Sequence, residues 1–321
     1  MNVLDTINNA LKTGDTRFAF ELLPPLKGDG TEGIFRAIDN VMCYDPAYIN
    51  ITSHREGLKQ TVRSDGRIEW HTVRRRPGTV GIAAAIQKRY GIPAVPHLIC
   101  GGQSQYDIED ALIDMDFLGL HNVLALRGDC SQNEKIFLPH PQGHSHAVEL
   151  VRQIASMNRG EFVDGEVEEC HHSRFSIGVA GYPETHGDAI SAEDDLMRLR
   201  QKIEAGAEYV VTQMFFDNSK FFDFVARARA LGINVPIIPG LKPLVNKRQL
   251  KTLPEVFSIS IPRELSDEIE KYGDDKQKVK EIGLEWTVTQ ARELKEAGVP
   301  VLHFYTMSKT ENIAAIARQI W

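Results

Sequence analysis

The chain has little cysteine, with only four such residues among 321, at positions 43, 100, 130 and 170. They form no CxxC pair and no closely spaced set, which excludes a disulfide-stapled secreted scaffold. The first 15 residues follow an amphipathic helical pattern with acidic residues, and lack the basic and then apolar order of a signal peptide. We therefore expect a cytoplasmic protein.

Long runs of apolar residues and long runs of basic residues are also missing. No uninterrupted apolar stretch approaches the roughly 18 residues that a membrane span needs, and the longest basic run is Arg74-Arg75-Arg76. Lys and Arg number 37 against 44 Asp and Glu, for a net charge of −7, so the electrostatic footprint of a nucleic-acid-binding protein is absent. The sequence predicts no membrane partner and no nucleic-acid partner.

What the chain has is a repeated alternation of short β-branched or aromatic runs with longer segments of helical period. The predicted strands cover 17–23, 48–53, 94–100, 122–127, 176–181, 209–215, 234–239 and 301–306. The predicted helices cover 31–43, 79–90, 106–119, 144–157, 192–205, 219–231, 277–297 and 310–320. Eight strands, each followed by a helix, predict an α/β fold: a closed (β/α)8 TIM barrel with an N-terminal helix, as one domain over 1–321.

Three segments interrupt this alternation. Residues 54–78 and 159–174 are polar and are predicted to be loop insertions, and residues 262–281 form a charged stretch before the last long helix. Long loops in a compact domain are usually functional or mobile. We expect the two insertions to shape an entrance to the site or an interface.

One acidic residue stands in unusual company. Glu21 ends the run Phe18-Ala19-Phe20 and precedes Leu22, at the carboxyl end of the first predicted strand. A carboxylate that loses hydration among apolar side chains has a raised pKa and can act as a general acid. The alternative is that Glu21 forms an ion pair with an arginine from a neighbouring element.

Other polar residues fall at the ends of the predicted strands. In a (β/α)8 barrel these ends meet on one face, where the active site forms. The residues are Thr52, Ser53, His97, Arg127, Asp129, Tyr182, Gln213, Tyr305 and Thr306. This face is therefore the predicted active site.

Seven short motifs carry a resemblance to one family. They are FELLPP (20–25), PHLIC (96–100), ALRGD (125–129), GYPETH (181–186), TQMFFD (212–217), IIPGLKP (237–243) and HFYT (303–306). In this order and spacing they resemble methylenetetrahydrofolate reductase, from about residue 17 to the C-terminus. The resemblance implies a TIM barrel that binds FAD. Its reaction is the ping-pong transfer of a hydride from NADH or NADPH to 5,10-methylenetetrahydrofolate, which yields 5-methyltetrahydrofolate for methionine synthesis.

The resemblance also implies roles at the reacting centre. Opening the methylene bridge to an iminium cation requires a proton on the departing nitrogen, and Glu21 matches the acid of the family that supplies it. Asp129 matches a pterin contact whose carboxylate would stabilise the cation, although an Asp at a strand exit is often only a helix N-cap. Gln213 and Gln249 match folate contacts, and Lys309 stands where the family usually carries a substrate-binding arginine.

For the flavin, the resemblance implies a larger set of contacts. These are Thr52, Ser53, His97, Arg127, Gly128, Asp129, Tyr182, His186, Ala189, Asp195, Arg198 and Lys202. The last three share one helix face and would hold ribose and pyrophosphate. Without the resemblance, that face would be interpreted as a solvated surface with salt bridges. Gln201 replaces a basic residue that is frequent in the family. The family also forms homo-oligomers.

Two other classes of function remain open. His140, His144, His146, His171 and His172 beside Cys170 raise a metal hypothesis, but their spacing fits neither HExxH nor the paired CxxC pattern, and we expect no metal. The alternatives are therefore a metal-dependent barrel hydrolase and a pterin-binding methyl-transfer subunit without redox activity. Among flavin-dependent oxidoreductases the competitor is a proline dehydrogenase barrel, against which Glu21 and the ALRGD motif argue. The preference between NADH and NADPH is not predicted.

Overall fold

The computed structural model describes residues 2–130, 136–167, 171–273, 275–307 and 309–321. In chain order the elements are α1 Val3–Thr13, β1 Arg17–Leu22, α2 Glu32–Asp39, a 3-10 helix Met42–Tyr44, β2 Ile49–Ile51, β3 Gly57–Val62, β4 Ile68–Val73, α3 Thr79–Tyr90, β5 Ala94–Ile99, α4 Gln105–Phe117, β6 Asn122–Leu126, α5 Ala147–Met157, β7 Glu161–Phe162, β8 Gly165–Glu166, β9 Ser176–Gly181, α6 Ala192–Glu204, β10 Tyr209–Met214, α7 Asn218–Ala230, β11 Ile237–Leu241, α8 Gln249–Phe257, α9 Arg263–Lys271, α10 Lys276–Glu296, β12 Val301–Tyr305 and α11 Thr310–Ala317.

Eight of these strands close into a barrel. Around its circumference the order is β1, β2, β5, β6, β9, β10, β11 and β12, and β12 pairs with β1. Every pairing in the barrel is parallel. The predicted (β/α)8 barrel is confirmed, and the helices between successive barrel strands lie against its outer surface.

The alternation of side chains along each strand separates two apolar regions. In β1, Phe18, Phe20 and Leu22 belong to the large core between the barrel and the helices, whereas Ala19 belongs to the smaller core inside the barrel. Because side chains in a strand point to alternate faces, Glu21 lies on the inward side with Ala19. The inward position at the carboxyl end of β1 is therefore the one that carries a carboxyl.

The N-terminal helix closes the other end of the barrel. Val3 and Ile7 of α1 are fully buried and pack in the interior core with Tyr48 and Val301. The backbone N–H of Val3 donates to Oδ1 of Asn122 at the start of β6 over 2.8 Å. With this end covered, the carboxyl end is the open mouth of the barrel.

The predicted loop insertions contain regular structure, which corrects the prediction of loops. Residues 57–62 and 68–73 form an antiparallel hairpin, β3–β4, and residues 161–162 pair with 165–166 as β7–β8. Short polar strands carry no buried apolar face, so the periodicity that identifies a half-buried strand is absent from this part of the sequence. The part of the second insertion at 168–170 lies outside the described residues.

The region after β10 departs furthest from the prediction. The seventh barrel strand is β11 at 237–241, not 234–239, and α8 and α9 were not predicted. Both Pro236 and Pro239 lie in the predicted strand, whereas β11 begins after Pro236 and continues through Pro239 to Leu241. Helices α8, α9 and α10 share a third apolar core that contains Leu253, Leu265 and Ile282.

Within the described residues, no helix is both long enough and apolar enough to cross a membrane.

Candidate active site

A cavity of about 2450 Å³ opens at the carboxyl ends of the barrel strands. Sites for one small ligand usually occupy about 300–1,000 Å³, so this volume leaves room for two large ligands. The hairpin β3–β4 contributes to its wall. The predicted site residues line the cavity with three exceptions. Ala189 lies in a turn after His186, the Thr306 hydroxyl donates to the carbonyl oxygen of Glu21, and Lys309 is exposed before α11.

Glu21 occupies the mouth of the barrel. In the parallel ladders it is level with Asn50 of β2 on one side and Tyr305 of β12 on the other. Its side chain is 12% exposed, and its Oε2 lies 3.7 Å from Nε2 of His97. Burial raises the pKa of Glu21 to about 8, although the charge of Lys242 acts in the opposite direction. Glu21 therefore retains its proton at neutral pH.

The neighbour of Glu21 is neutral as well. Burial, with contributions from His303 and His54, lowers the pKa of His97 to about 3, so this imidazole carries no charge. The contact between Glu21 and His97 is therefore not an ion pair at neutral pH. Among the described residues no arginine lies within ion-pair distance of the Glu21 carboxyl, so the alternative of an arginine partner is wrong.

Lys242 is the functional candidate that sequence reasoning missed. It follows β11 directly and lines the cavity. Burial lowers its pKa, and the charge of Glu21 acts against that shift. The rule that strand ends carry the site would have identified Lys242, but the predicted strand ended at residue 239.

Deeper in the barrel lie polar side chains that sequence reasoning also left out. Asn50 and His303 are almost fully buried and line the cavity. The side-chain nitrogen and oxygen of Asn50 and both ring nitrogens of His303 have no hydrogen-bond partner among the described residues. Tyr305 instead donates its hydroxyl proton to the carbonyl oxygen of Thr212 over 2.6 Å. Asn50 and His303 are therefore available to a ligand or to water.

The wall near β6 carries a different kind of charge. Arg127 forms an ion pair with Asp188 over 2.6 Å, and its guanidinium lies 5.0 Å from the ring centroid of Phe137. The hydrogen bond from Arg127 lowers the pKa of Asp188. Gly128 has a φ of +85°, and a Cβ on it would approach Ile99 to 3.2 Å, so only glycine fits this turn. The backbone thus passes close to the cavity here.

The helix face on α6 is only partly a surface. Nζ of Lys202 donates to the carbonyl oxygen of Ala180 over 2.6 Å, and burial lowers the pKa of Lys202 to about 8. Asp195 accepts from the backbone N–H of His186 over 2.9 Å. The solvated-surface alternative is wrong for these two residues, whereas Arg198 does form an i,i+4 pair with Asp194 at 2.8 Å.

Aromatic and hydroxyl groups also line the cavity. The rings of Tyr182 and His186 meet edge to face at 4.5 Å, and burial raises the pKa of Tyr182 and lowers that of His186. The hydroxyl oxygen of Thr52 lies 3.4 Å from Nε2 of His54. Ser53 is the next residue along the chain, just after the end of β2. These groups supply flat surfaces and hydrogen bonds beside the cations.

The remaining predicted contacts differ in which of their side-chain atoms are left for a ligand. Asp129 is exposed, and the segment that a helix capped by it would occupy, 131–135, lies outside the described residues. Gln213 uses its amide oxygen for the N–H of Met214 at 2.9 Å, which leaves its NH₂ for a ligand. The amide oxygen of Gln249 accepts from the N–H groups of Val245 and Asn246.

The histidines of the metal hypothesis serve other contacts. His144 lies 2.6 Å from Oε1 of Gln153, and His171 lies 3.8 Å from Asp116. In the part of the chain that the structure describes, no group of three or more His, Cys, Asp or Glu is placed to hold a metal ion. Cys170 lies outside the described residues.

Comparison with known proteins identifies the family that the chain resembles. Residues 6–320 match the family model "Methylenetetrahydrofolate reductase". The chain is 31% identical to methylenetetrahydrofolate reductase (NADH) 1 of Arabidopsis thaliana, over 98% of the chain and 50% of that protein. It is 28% identical to the 5,10-methylenetetrahydrofolate reductases of Escherichia coli and Pectobacterium carotovorum, each of which it covers to 95%. The chain thus spans about half the length of the plant relative and nearly all of the bacterial ones.

A search of solved structures supports the fold. An uncharacterized protein from Clostridium thermocellum, which binds two copies of 5-methyl-5,6,7,8-tetrahydrofolic acid, aligns over 98% of both chains with a TM-score of 0.57. Its sequence identity is 15%, so the likeness extends to the barrel architecture alone.

Proposed function

Because the chain belongs to the methylenetetrahydrofolate reductase family, we propose that it reduces 5,10-methylenetetrahydrofolate to 5-methyltetrahydrofolate with NADH or NADPH through bound FAD. The product would supply methyl groups for methionine synthesis. The observation that carries this proposal is Glu21, a carboxyl with a pKa raised to about 8 at the mouth of the barrel. Such a group is an acid suited to neutral pH.

The surroundings of Glu21 support a proton-transfer role. The protonated carboxyl would donate to the departing nitrogen of the methylene bridge, and Lys242 would then stabilise the carboxylate that forms. Neutral His97 at 3.7 Å leaves the carboxyl protonated, whereas an imidazolium there would favour its ionised form. Asp129 would stabilise the cationic substrate, and the NH₂ of Gln213 would contact the pterin. Gln249 and Lys309 stay as proposed folate contacts, the first through its NH₂ only.

The wall formed by β6, β9 and α6 suits a dinucleotide cofactor. Arg127, Arg198 and Lys202 bring three cations to it, and cations with N–H donors are what a pyrophosphate needs. Tyr182 and His186 offer ring faces and edges, and Thr52, Ser53, Asp195 and Ala189 offer hydrogen-bonding groups or contact area. Bound FAD would supply the two-electron carrier between the nicotinamide and the folate. We propose FAD on these residues, with 1–321 as its single barrel domain.

The test is a pair of half-reactions on the purified protein. We expect a yellow preparation with a flavin spectrum that bleaches when it is mixed anaerobically with NADH or NADPH in a stopped-flow instrument. Mixing the bleached protein with methylenetetrahydrofolate should restore the colour and form 5-methyltetrahydrofolate. Steady-state double-reciprocal plots should be parallel, as a ping-pong mechanism requires. The faster of the two nicotinamides in the first step would also identify the physiological donor.

The same preparation separates the alternatives. A colourless protein that binds a folate would favour a methyl-transfer subunit without redox activity, and stoichiometric metal without flavin would favour a barrel hydrolase. Sedimentation of the same sample would test the proposal that the protein is a homo-oligomer, and fractionation of cells would test the cytoplasmic location.

A further inference from the structure

The hairpin β3–β4 presents two unlike sides. Trp70 and Thr72 of β4 and Arg74 directly after it are alternate residues, and all three line the cavity, where Trp70 remains 63% exposed. The intervening residues form the other side, on which His71 hydrogen-bonds Thr61 over 2.8 Å. Because a strand sends successive side chains to opposite faces, an exposed indole at the cavity side follows from the position of Trp70 in β4.

The base of the hairpin is fixed close to the reacting centre. Arg76 donates a hydrogen bond to the carbonyl oxygen of Pro24, and the N–H of Lys27 donates to the carbonyl oxygen of Arg75 over 2.8 Å. Pro24 is only three residues after Glu21, so at most about 11 Å of chain separates them. A ligand whose reacting end lies at Glu21 can therefore extend along the hairpin.

The charges on the cavity wall favour an anion at the hairpin. Arg74 already pairs with Glu56 at 2.7 Å, whereas no acid of the described residues lies within ion-pair distance of Arg75. Helix α4 contributes Asp107, Asp110 and Asp114 to the same cavity, and these carboxylates disfavour an anion beside that helix. Arg75 is thus a cation of the hairpin that an incoming carboxylate can approach.

We propose that the cavity side of the hairpin binds the arylglutamyl end of the folate, with the benzoyl ring on Trp70 and the glutamate carboxylates at Arg75. A flat ring that carries carboxylates matches an exposed indole beside an arginine. The inference rests on the proposed function, since the folate must have its pterin at Glu21. It assigns substrate recognition to an insertion for which the family resemblance gave no role.

The first test compares Trp70→Ala, Trp70→Phe and Lys59→Ala, with Lys59 as the matched position on the other side of the hairpin. Trp70→Ala should raise the KM for methylenetetrahydrofolate about three- to tenfold, which is the range of an aromatic stacking contact. Trp70→Phe should keep most of the affinity, and Lys59→Ala should match the wild type. The KM for the nicotinamide and the rate of flavin bleaching should not change. Quenching of indole fluorescence by 5-methyltetrahydrofolate gives a reading of binding without turnover.

The second test removes the cation from the protein and the glutamate from the substrate. Arg75→Gln should raise the KM for methylenetetrahydrofolate about two- to fivefold, as expected for an exposed ion pair. The same variant should show no change with methylenetetrahydropteroate, the substrate that lacks the glutamate. An equal loss with both substrates would overturn the assignment of Arg75.

Three outcomes would overturn the role of the hairpin as a whole. The first is an unchanged folate KM and unchanged quenching in Trp70→Ala, and the second is an increase in the nicotinamide KM instead. The third is a change of oligomeric state with unaltered folate affinity, which would make this side a contact between two copies of the chain. A wild-type protein that neither binds nor reduces the folate would instead refute the proposed function itself.

Discussion

The two walls of the cavity control charge by opposite means. On the β1 and β11 wall, burial shifts the pKa values of Glu21 and Lys242 toward their neutral forms, against their mutual attraction. On the β6 wall, the Arg127 guanidinium holds Asp188 ionised through a 2.6 Å pair that solvent reaches. The difference shows how one cavity can keep a proton on an acid while it offers a guanidinium to an anionic ligand.

The largest effect is expected on the buried wall, from Glu21→Gln. The amide keeps the shape of the side chain but cannot donate the proton, so folate reduction should fall about 10²- to 10⁴-fold. Bleaching of the flavin by the nicotinamide should remain, and stopped-flow measurement of each half-reaction separates the two. Glu32→Gln in the exposed first turn of α2 serves as the control. Survival of both half-reactions in Glu21→Gln would remove the proton-donor role.

A smaller effect of the buried wall should appear in the pH dependence of the free energy of unfolding. The pKa of Glu21 is about 8 in the folded protein and 4.5 without burial, so the folded state holds a proton that the unfolded state has lost between these values. The stabilising contribution is complete below pH 4.5 and is lost as the pH rises to about 8. Between these pH values the wild type should lose on the order of 2 kcal/mol of unfolding free energy relative to Glu21→Gln. This is less than the full pKa shift would give, because the open cavity admits water beside the carboxyl.

Urea unfolding of the flavin-free protein at several pH values measures this difference. The free energies of unfolding of the wild type and Glu21→Gln should change in parallel below pH 4.5 and diverge toward pH 8. Parallel curves over the whole range would mean that Glu21 is hydrated and that burial does not govern this wall.

The smallest effect is expected on the opposite wall, from Asp188→Asn. Asp188 is 52% exposed and Arg127 is 25% exposed, so the ion pair between them is screened and should contribute less than about 1 kcal/mol to unfolding. Asp223→Asn, which breaks the exposed Arg227 pair on α7, is the matched comparison. Equal small changes in the two variants by thermal unfolding would support the contrast between the walls. A loss several times larger for Asp188→Asn would show that this wall too depends on burial.

Prediction from the sequence was most successful where the hydrophobic period identifies a strand and the functional residue lies at the end of that strand. The barrel and the place of Glu21 followed from strands whose apolar residues alternate, and the rule that strand ends form the site led to His97, Arg127 and Gln213. It failed at Lys242 because the predicted strand ended at residue 239, two residues before the end of β11. It also failed at the hairpin, since polar strands without a buried face have no apolar period to detect.

The sequence by itself determined the architecture, because hydrophobic period and turn residues are local properties that a chain displays without folding. It also determined that Glu21 ends an apolar strand. Only the tertiary structure decided how far the pKa of this carboxyl rises, to about 8, that His97 beside it is neutral, and that Trp70 faces the cavity. Desolvation and proximity depend on residues that are distant in the chain and adjacent only in space, so no stretch of sequence contains them.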